Sequence, residues 1–327
     1  MTAFEKNAFD GDDLEGNESE AEEHTFAERK ITIPENGNGQ RVDRFLAEAL
    51  PDFSRSYLQK LLKDGQVLAN GKEVKPNYKL STGEILSVSL PENEDLDVEP
   101  EDLPVEVLYE DSDVILVNKG KGMVVHPAAG HNKGTLVNFL LYHCKGELSG
   151  INGVLRPGIV HRIDKDTTGV LIACKNDKAH RALAEQLKEH TIVRKYRAIV
   201  LGSLPEEEDT IHTTIGRHPT DRKKMSVHSK NGKDAITHYH VLQRFSNYTY
   251  VECQLETGRT HQIRVHMASI GHPLLGDTVY GPEKSKYKLE GQCLHAMIFG
   301  FIHPSTGEYM EFEAPLPAYF QRLLSIL

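Results

Sequence analysis

The chain has 327 residues, of which 39% are hydrophobic, and it carries a formal net charge of -10 and four cysteines. This length predicts two domains, and no apolar run approaches the ~20 residues of a membrane span, which excludes a transmembrane protein and a membrane partner. The cysteines lack the spacing of a disulfide scaffold or a zinc knuckle and the N-terminus lacks a signal-peptide pattern, so we expect buried free thiols in a cytoplasmic protein.

The negative charge is concentrated in two segments. Residues 1–30 carry a net charge of -7 and residues 92–113 carry -11, whereas residues 31–91 carry +1 and residues 114–327 carry +7. The first segment has too few apolar residues to fold, which predicts a disordered acidic tail. The second segment, rich in acids and flanked by prolines, predicts an extended acidic linker. The basic balance of residues 114–327 is compatible with a nucleic-acid partner.

Residues 31–91 have the pattern of a small α/β module. Apolar residues recur at helical spacing in its first half and in short β-type runs in its second half. The predicted elements, in order, are a helix over 42–50, a second helix capped by Ser54, a strand over 66–69, a turn at Asn70–Gly71 and a strand over 84–88.

Residues 114–327 contain strand and helix patterns in turn. The predicted elements are a strand over 114–117, a helix that is capped by Asp177 and runs to His190, a strand over 192–200, a basic loop over 216–233, a hairpin of 235–242 with 248–255, and an amphipathic helix over 316–327. The basic loop has the composition of a segment that follows a phosphate backbone.

A polar turn within this region carries the strongest chemical signal. β-branched runs at 159–160 and 170–173 predict two buried strands, and the turn between them is exposed. Its Asp164 is flanked by His161, Arg162 and Lys165, which stabilise an ionised carboxylate suited to act as a nucleophile or proton acceptor. The spacing alone is equally compatible with a charged hairpin tip.

The sequence of this turn, His-Arg-Ile-Asp-Lys-Asp-Thr-Thr-Gly from 161 to 169, resembles the active-site signature of the RluA-type family of pseudouridine synthases. Other family motifs occur in the family's order along the chain: 119–127, in which Gly120 stands where proline is common, Lys195–Ala198, 255–266 and Gly276–Asp277. The segment 41–71 resembles the S4 RNA-binding module. The resemblance therefore covers residues 31–327.

This resemblance implies an α+β fold. It implies a small S4-like α/β module at 31–91, followed at 114–327 by a catalytic domain of the pseudouridine synthase fold with a largely antiparallel mixed sheet. The implied reaction is the isomerisation of uridine to pseudouridine without a cofactor. The motifs are closest to the RluD-like branch, which implies large-subunit (23S) ribosomal RNA, including pre-ribosomal particles, as the partner of a monomeric enzyme.

The resemblance also implies roles for individual residues. Asp164 is the catalytic carboxylate, Arg264 pairs with it, and Tyr196 stacks on the uracil and assists removal of the C5 proton. Asp164 acts either at the sugar C1′ or through proton removal at C2′, and the sequence does not choose between them. The expected substrate-binding residues are Arg162, Ile263, His126 and Lys195. The expected RNA-binding residues are Arg44, Arg55, Lys60, Lys63, Arg222, Lys223 and Lys224.

Three alternatives remain open at this point. The enzyme could act on transfer RNA or another ribosomal site. The chain could be a non-catalytic RNA-binding factor of ribosome assembly, although such a factor has no need of an acid facing RNA phosphates. A glycoside hydrolase would need a second carboxylate, for which Asp166 is the candidate. No metal site is expected, because His261 and His266 lack the accompanying Glu of a zinc-binding His-Glu-x-x-His motif.

Overall fold

A computed structural model describes residues 26–50, 55–91, 98–127, 132–151, 156–221, 223–283 and 285–327. The chain forms two compact units that meet in the sequence between Asp95 and Leu96. The two units are described separately below.

The first unit is a four-stranded antiparallel sheet with two helices. Its elements are β1 (Phe26–Thr32), a 3-10 turn (Glu35–Gly37), α1 (Val42–Ala49), α2 (Arg55–Lys63), β2 (Val67–Ala69), β3 (Lys72–Glu73) and β4 (Ile85–Pro91), and the strand order is β1-β4-β2-β3. Apolar residues of both helices, such as Leu46 and Leu58, are buried with Leu86 of the sheet. Asn70 and Gly71 have positive φ angles of 48° and 76° and form the predicted turn.

Strand β1 begins inside the segment assigned to the acidic tail. All seven of its residues pair with β4, in a register that joins Phe26 to Pro91 and Thr32 to Ile85. The sequence did not reveal this strand because its charged middle, Glu28 to Lys30, interrupts the apolar pattern. The tail prediction for 1–25 and the Ser54 cap lie outside the described residues.

The second unit is built on one large sheet. Its elements are β5 (Glu106–Glu110), β6 (Val114–Lys119), α3 (Leu136–Cys144), β7 (Thr168–Cys174), α4 (Asp177–Lys188), β8 (Val193–Leu201), β9 (Glu208–Arg217), β10 (Met225–Val227), β11 (Lys233–Arg244), β12 (Tyr248–Leu255), α5 (Gln262–Ser269), β13 (Leu294–Ile302), β14 (Tyr309–Glu313) and α6 (Ala318–Ile326). The order is β10-β9-β11-β12-β8-β13-β7-β6-β5, with β14 paired to β13. Strands β7 and β13 are parallel and the other described pairs are antiparallel, which confirms the α+β class and the largely antiparallel mixed sheet.

Helices cover both faces of this sheet. Helix α3 packs in one core with Leu171 and Ala198, and helix α4 packs in another with Ile172 and Phe301. The C-terminal helix α6 buries Phe320 against the sheet, as its amphipathic pattern predicted. The four cysteines are buried free thiols, also as predicted. Within the described ranges, no helix is both long and apolar enough to cross a membrane.

The segment 98–113 belongs to this unit, which corrects the predicted linker. Val98 is buried in the core and β5 pairs with β6, and the two acids of this edge strand, Glu106 and Glu110, are exposed to water. The acidic composition predicted an extended linker because composition does not reveal how few apolar residues an edge strand needs. Residues 92–97 lie outside the described part of the chain.

Three local predictions also differ from the structure. Of the predicted strand 159–160, Ile159 forms only an isolated bridge with Ala173. Helix α4 is capped by Asn176, whose side chain accepts a 2.9 Å bond from the Ala179 amide, and Asp177 is its first residue. The predicted basic loop contains β10, which pairs with β9. The predicted hairpin of β11 and β12 is confirmed.

We expect Gly169→Ala to destabilise the second unit by roughly 2–4 kcal/mol, because it adds both backbone strain and a steric clash. Gly169 has a φ of +109°, and a Cβ there would collide with the backbone carbonyl of Ala296 where β7 meets β13. Urea denaturation would measure the loss. Gly120→Ala is the control, because its Cβ would have no atom within 4 Å. Equal stability of the two variants would contradict this account.

Candidate functional site

A cavity of about 540 Å³ opens in the second unit. Its walls come from the loop that carries Asp164, from strand β8 through Tyr196, and from the segment 255–264. The sequence places Asp164 and Arg264 100 residues apart, and the fold brings them together at this cavity. The three predicted catalytic residues therefore share one site.

A buried arginine joins two carboxylates at this cavity. Arg264, on α5, donates from Nε to Asp277 Oδ2 at 2.6 Å and from Nη2 to Asp277 Oδ1 at 2.9 Å. Its Nη1 is left to donate to Asp164 Oδ2 at 2.9 Å. Arg264 is 5% exposed and Asp277 is 1% exposed, so these charges compensate one another away from water. Asp277 thus fixes the guanidinium that orients Asp164.

The surroundings of Arg264 keep it charged. Burial alone would lower the pKa of its guanidinium, but the bonds to Asp277 and the charge of Asp164 outweigh burial and raise it. The ring of Tyr280 lies 5.3 Å from the guanidinium carbon. Asp277 was not among the predicted site residues. Its place in the Gly276–Asp277 family motif was the available signal.

The turn after Asp164 is held by a buried lysine. The Thr167 amide donates to the Asp164 carbonyl at 3.0 Å and closes the turn. Lys119, at the end of β6, is fully buried, and its Nζ donates to the carbonyls of Gly120, Met123 and Lys165 at 2.8–2.9 Å. Burial lowers the pKa of Lys119 to about 7, although Asp166 and Asp164 oppose the shift. The lysine therefore connects the 119–127 motif to the turn that carries Asp164.

His161 does not contribute the positive charge that the sequence suggested. Its ring stacks on Phe299 with centroids 5.0 Å apart, and its Nε2 accepts a 3.2 Å bond from the Ile172 amide. Burial lowers the pKa of His161 to about 3, so the ring is neutral at physiological pH. Arg162 is exposed and lines the cavity.

A second histidine, which sequence reasoning did not select, lies beside Asp164. His261 Nε2 is 3.8 Å from Asp164 Oδ1, and His261 Nδ1 is 2.9 Å from the Tyr280 hydroxyl. That hydroxyl also accepts a 2.7 Å bond from the Met225 amide. Burial lowers the pKa of His261, with Asp164 opposing the shift. The chain Met225–Tyr280–His261 thus links strand β10 to the carboxylate.

Two buried residues supply a surface for a flat ring. Tyr196 is 8% exposed and Ile263 is 3% exposed, and both line the cavity. Burial raises the pKa of the Tyr196 phenol, Asp164 adds to the shift, and Arg194 opposes it. Arg194 lines the same cavity two residues before Tyr196, and it was not predicted. Period-two alternation along β8 could have identified it.

The structure does not bring two predicted substrate-binding residues to the cavity lining. Lys195 lies on the opposite face of β8, where its Nζ is 3.6 Å from Glu252 Oε1. His126 is half-buried outside the lining, and burial, together with the charges of Arg156 and Arg162, lowers its pKa to about 4. Lys195 neighbours Tyr196 in sequence, but adjacent residues of a strand point to opposite faces.

Asp166 does not supply a second carboxylate to the cavity lining. Its carboxyl group lies against Gly291, where a Cβ on the glycine would be 2.7 Å from Asp166 Oδ2. Among the described residues, Asp164 is therefore the carboxylate that lines the cavity. The described residues also contain no group of three or more His, Cys, Asp or Glu side chains able to hold a metal ion.

The predicted RNA-binding residues are surface groups where they can be described. Arg44 is exposed, with its Nε 3.2 Å from Glu48 Oε1, and Lys63 is exposed at the end of α2. Lys223 is exposed and Lys224 half-buried in the turn before β10. Arg55 and Lys60 lie on α2 with side chains outside the described set, and Arg222 lies outside the described residues.

Comparison with known proteins gives the same division of the chain. Residues 113–269 match the model of the RNA pseudouridylate synthase family, and residues 40–86 match the S4 domain. An uncharacterized RNA pseudouridine synthase of Bacillus subtilis is 55% identical over 91% of this chain and 97% of its own length. The ribosomal large subunit pseudouridine synthase D of Zymomonas mobilis is 46% identical over 91% of this chain and 97% of its own length. The structure of human RNA pseudouridylate synthase domain containing 1 is 27% identical, with a TM-score of 0.54 over 67% of this chain and 86% of that one.

We expect Lys119→Met to cost about 2–4 kcal/mol in free energy of unfolding, because three buried carbonyls lose their donor. The turn that carries Asp164 loses its anchor at the Lys165 carbonyl at the same time. Urea denaturation would measure the change. Lys165→Met is the matched control: it removes an exposed side chain, keeps that carbonyl, and should change stability by no more than about 0.5 kcal/mol. Similar losses for both variants would argue against the anchoring role.

Proposed function

The chain belongs to the RNA pseudouridylate synthase family and is an RNA pseudouridine synthase, and we propose that it modifies specific uridines of large-subunit ribosomal RNA with Asp164 as its catalytic carboxylate. One observation carries the assignment of Asp164. It is the carboxylate among the described residues of the cavity lining, and a buried arginine donates to it at 2.9 Å. A cavity of about 540 Å³ has the size of a small-molecule site and suits one extruded nucleoside.

The proposed chemistry is an isomerisation. The N1–C1′ bond of uridine breaks, the uracil turns within the cavity, a C5–C1′ bond forms, the C5 proton leaves, and N1 gains a proton. Asp164 either attacks C1′ or removes the C2′ proton, and Arg264 keeps its oxygen aimed at the sugar in both routes. No oxidant or reductant is consumed, so the reaction needs no cofactor.

Three neighbours of Asp164 are proposed to hold the uridine. Tyr196 stacks on the uracil and assists loss of the C5 proton, and Ile263 packs on the uracil's other face. The buried positions of both side chains at the cavity support these roles. Arg162 fills the space that the uridine leaves in the RNA stack. This replacement offsets part of the cost of extrusion, which amounts to a few kcal/mol.

The proposed substrate is 23S ribosomal RNA, free or in pre-ribosomal particles, and the proposed enzyme is a cytoplasmic monomer. Relatives at 44–46% identity that carry the name ribosomal large subunit pseudouridine synthase D support this substrate. The S4 match at 40–86 supports a separate RNA contact in the first unit. The basic balance of residues 114–327 supports a phosphate-rich partner for the second unit.

We expect Asp164→Asn to abolish pseudouridine formation while RNA affinity changes little, because the amide keeps the size of the carboxylate but is neither a nucleophile nor a base. Chemical mapping of pseudouridine in unmodified large-subunit ribosomal RNA would measure formation, and filter binding would measure affinity. Asp166→Asn is the control, and it should retain activity because Asp166 lies outside the cavity lining.

The outcomes of this mapping are separable. New sites with wild-type protein and Asp166→Asn, and none with Asp164→Asn, support both enzyme and residue. If Asp164→Asn formed as much pseudouridine as wild-type protein, Asp164 would not be the catalytic carboxylate. No site in ribosomal RNA, together with new sites in transfer RNA, would overturn the proposed substrate and keep the enzyme.

We expect the double variant Arg44→Gln, Lys63→Gln to weaken binding to ribosomal RNA and to reduce the slope of log Kd against log salt by about 1.5, since each lost phosphate contact removes about 0.7–0.9. The exposed ion pair of Arg44 with Glu48 contributes little stability, so RNA can displace it. Glu48→Gln is the matched control. It frees Arg44 and should not weaken binding. An unchanged slope in the double variant would exclude these contacts.

A further inference from the structure

The cavity contains a second buried arginine whose charge is not used by the chemistry described above. Arg194 is on β8, 6% exposed, and it lines the cavity on the same face of the strand as Tyr196. Residues 194 and 196 share a face because side chains alternate along a strand. A fixed positive charge therefore lies beside the ring on which the uracil is proposed to stack.

Arg194 differs from Arg264 in how its charge is compensated. Arg264 bonds to two carboxylates, whereas Arg194 forms an ion pair with none of the described Asp or Glu side chains. Its Nη2 donates to the Glu256 carbonyl at 2.8 Å, and its Nε is buried without a hydrogen-bond partner among the described residues. A buried cation without an anion is costly, which indicates that a ligand completes the site.

The backbone beside Arg194 is shaped to hold the guanidinium. A Cβ on Gly258 would lie 2.6 Å from Arg194 Nη1, so a larger residue at position 258 would displace this end of the side chain. Gly258 belongs to the loop before α5 that also lines the cavity. The guanidinium is therefore held by Glu256 on one side and packed against Gly258 on another.

We propose that Arg194 is a further catalytic residue, which stabilises the negative charge that develops on the uracil as the N1–C1′ bond breaks. This inference rests on the proposed function. Whichever route Asp164 takes, the electron pair of that bond passes to the uracil and spreads over N1 and the carbonyl oxygens. The Arg194 N–H groups donate to a carbonyl oxygen. When the C5–C1′ bond forms, the pair enters the new bond and the charge on the uracil disappears. The C5 proton then leaves and N1 gains a proton, so the product is an isomer of uridine.

The physical basis is that Arg194 donates hydrogen bonds to a position where negative charge appears only during the reaction. An uncompensated, buried guanidinium interacts more strongly with an anionic uracil than with the neutral base of the ground state. Its effect should therefore lie on the rate of the chemical step and not on RNA affinity. A role as a ground-state phosphate contact makes the opposite prediction, because phosphates are charged before and after reaction.

The test is single-turnover pseudouridine formation on large-subunit ribosomal RNA, with Kd measured for the same RNA. We expect Arg194→Met to slow the step by about 10²-fold, the usual effect of removing one such donor, without a matching change in Kd. Arg194→Lys, which keeps the charge but loses the fork of donors, should be intermediate. The matched control is Arg197→Met, on the face of β8 opposite to Arg194. Arg197 pairs with Glu252, and after the substitution Glu252 still has Lys195 Nζ at 3.6 Å, so we expect this variant to react at the wild-type rate.

A second variant keeps the test independent of folding defects in Arg194→Met. Gly258→Ala retains every charged residue and displaces the Arg194 guanidinium, so it should slow the step. Because both changes act on one group, the double variant Arg194→Met, Gly258→Ala should be no slower than Arg194→Met alone.

Each failure has its own signature. An unchanged rate in Arg194→Met, or additive effects in the double variant, would overturn the proposal. Weaker binding with an unchanged rate would assign Arg194 to a phosphate instead. If wild-type protein and Arg197→Met both form no pseudouridine in ribosomal RNA, the proposed substrate fails before Arg194 is tested.

Discussion

The geometry of this site depends on one guanidinium shared between two carboxylates. Asp277 accepts two bonds from Arg264, and an Nη1–H of the same guanidinium donates to Asp164 at 2.9 Å. Asp277, which is 1% exposed, would not be stable there without the arginine, since burying an unpaired charge costs several kcal/mol. The arrangement orients Asp164 through one of its oxygens and leaves the other without a bond to Arg264. The direction of the proposed catalytic group is thus set by Asp277, which lies outside the cavity lining.

The rest of the unit holds the loop of Asp164 against this pair. Lys119 binds the Lys165 carbonyl, and Gln292 Nε2 donates to the Thr167 hydroxyl at 3.0 Å. Gly169 permits the close approach of β7 to β13 directly after the loop. The partners in these contacts come from two parts of the chain, the end of β6 and the segment 292–296. The position of Asp164 therefore depends on tertiary packing and not on regular secondary structure within its own loop.

The sequence predicted those parts of the molecule that depend on local patterns. The β11–β12 hairpin, the Asn70–Gly71 turn and helix α6 all followed from periodicity or turn chemistry. The family motifs identified Asp164, Tyr196 and Arg264 as site residues, and all three line one cavity in the structure. Composition misassigned 98–113, because an edge strand can be acidic and still pair. Asp277, His261 and Arg194 were not predicted, because their importance lies in partners that are distant in sequence. Lys195 was chosen by proximity to Tyr196 although strand alternation directs it away.

The position of β13 in the sheet has a consequence for biosynthesis. This strand, Leu294–Ile302, lies between β7 and β8 and joins the half of the sheet that contains β5 to β7 to the half that contains β8 to β12. A nascent chain that has not yet released residue 302 from the ribosome holds two half-sheets, each with an unpaired edge that can attract other strands. Such long-range pairing is slow to form. The Asp164 loop directly precedes β7, whose first residues, Thr168 and Gly169, pair with β13, so the final position of this loop depends on the insertion of β13.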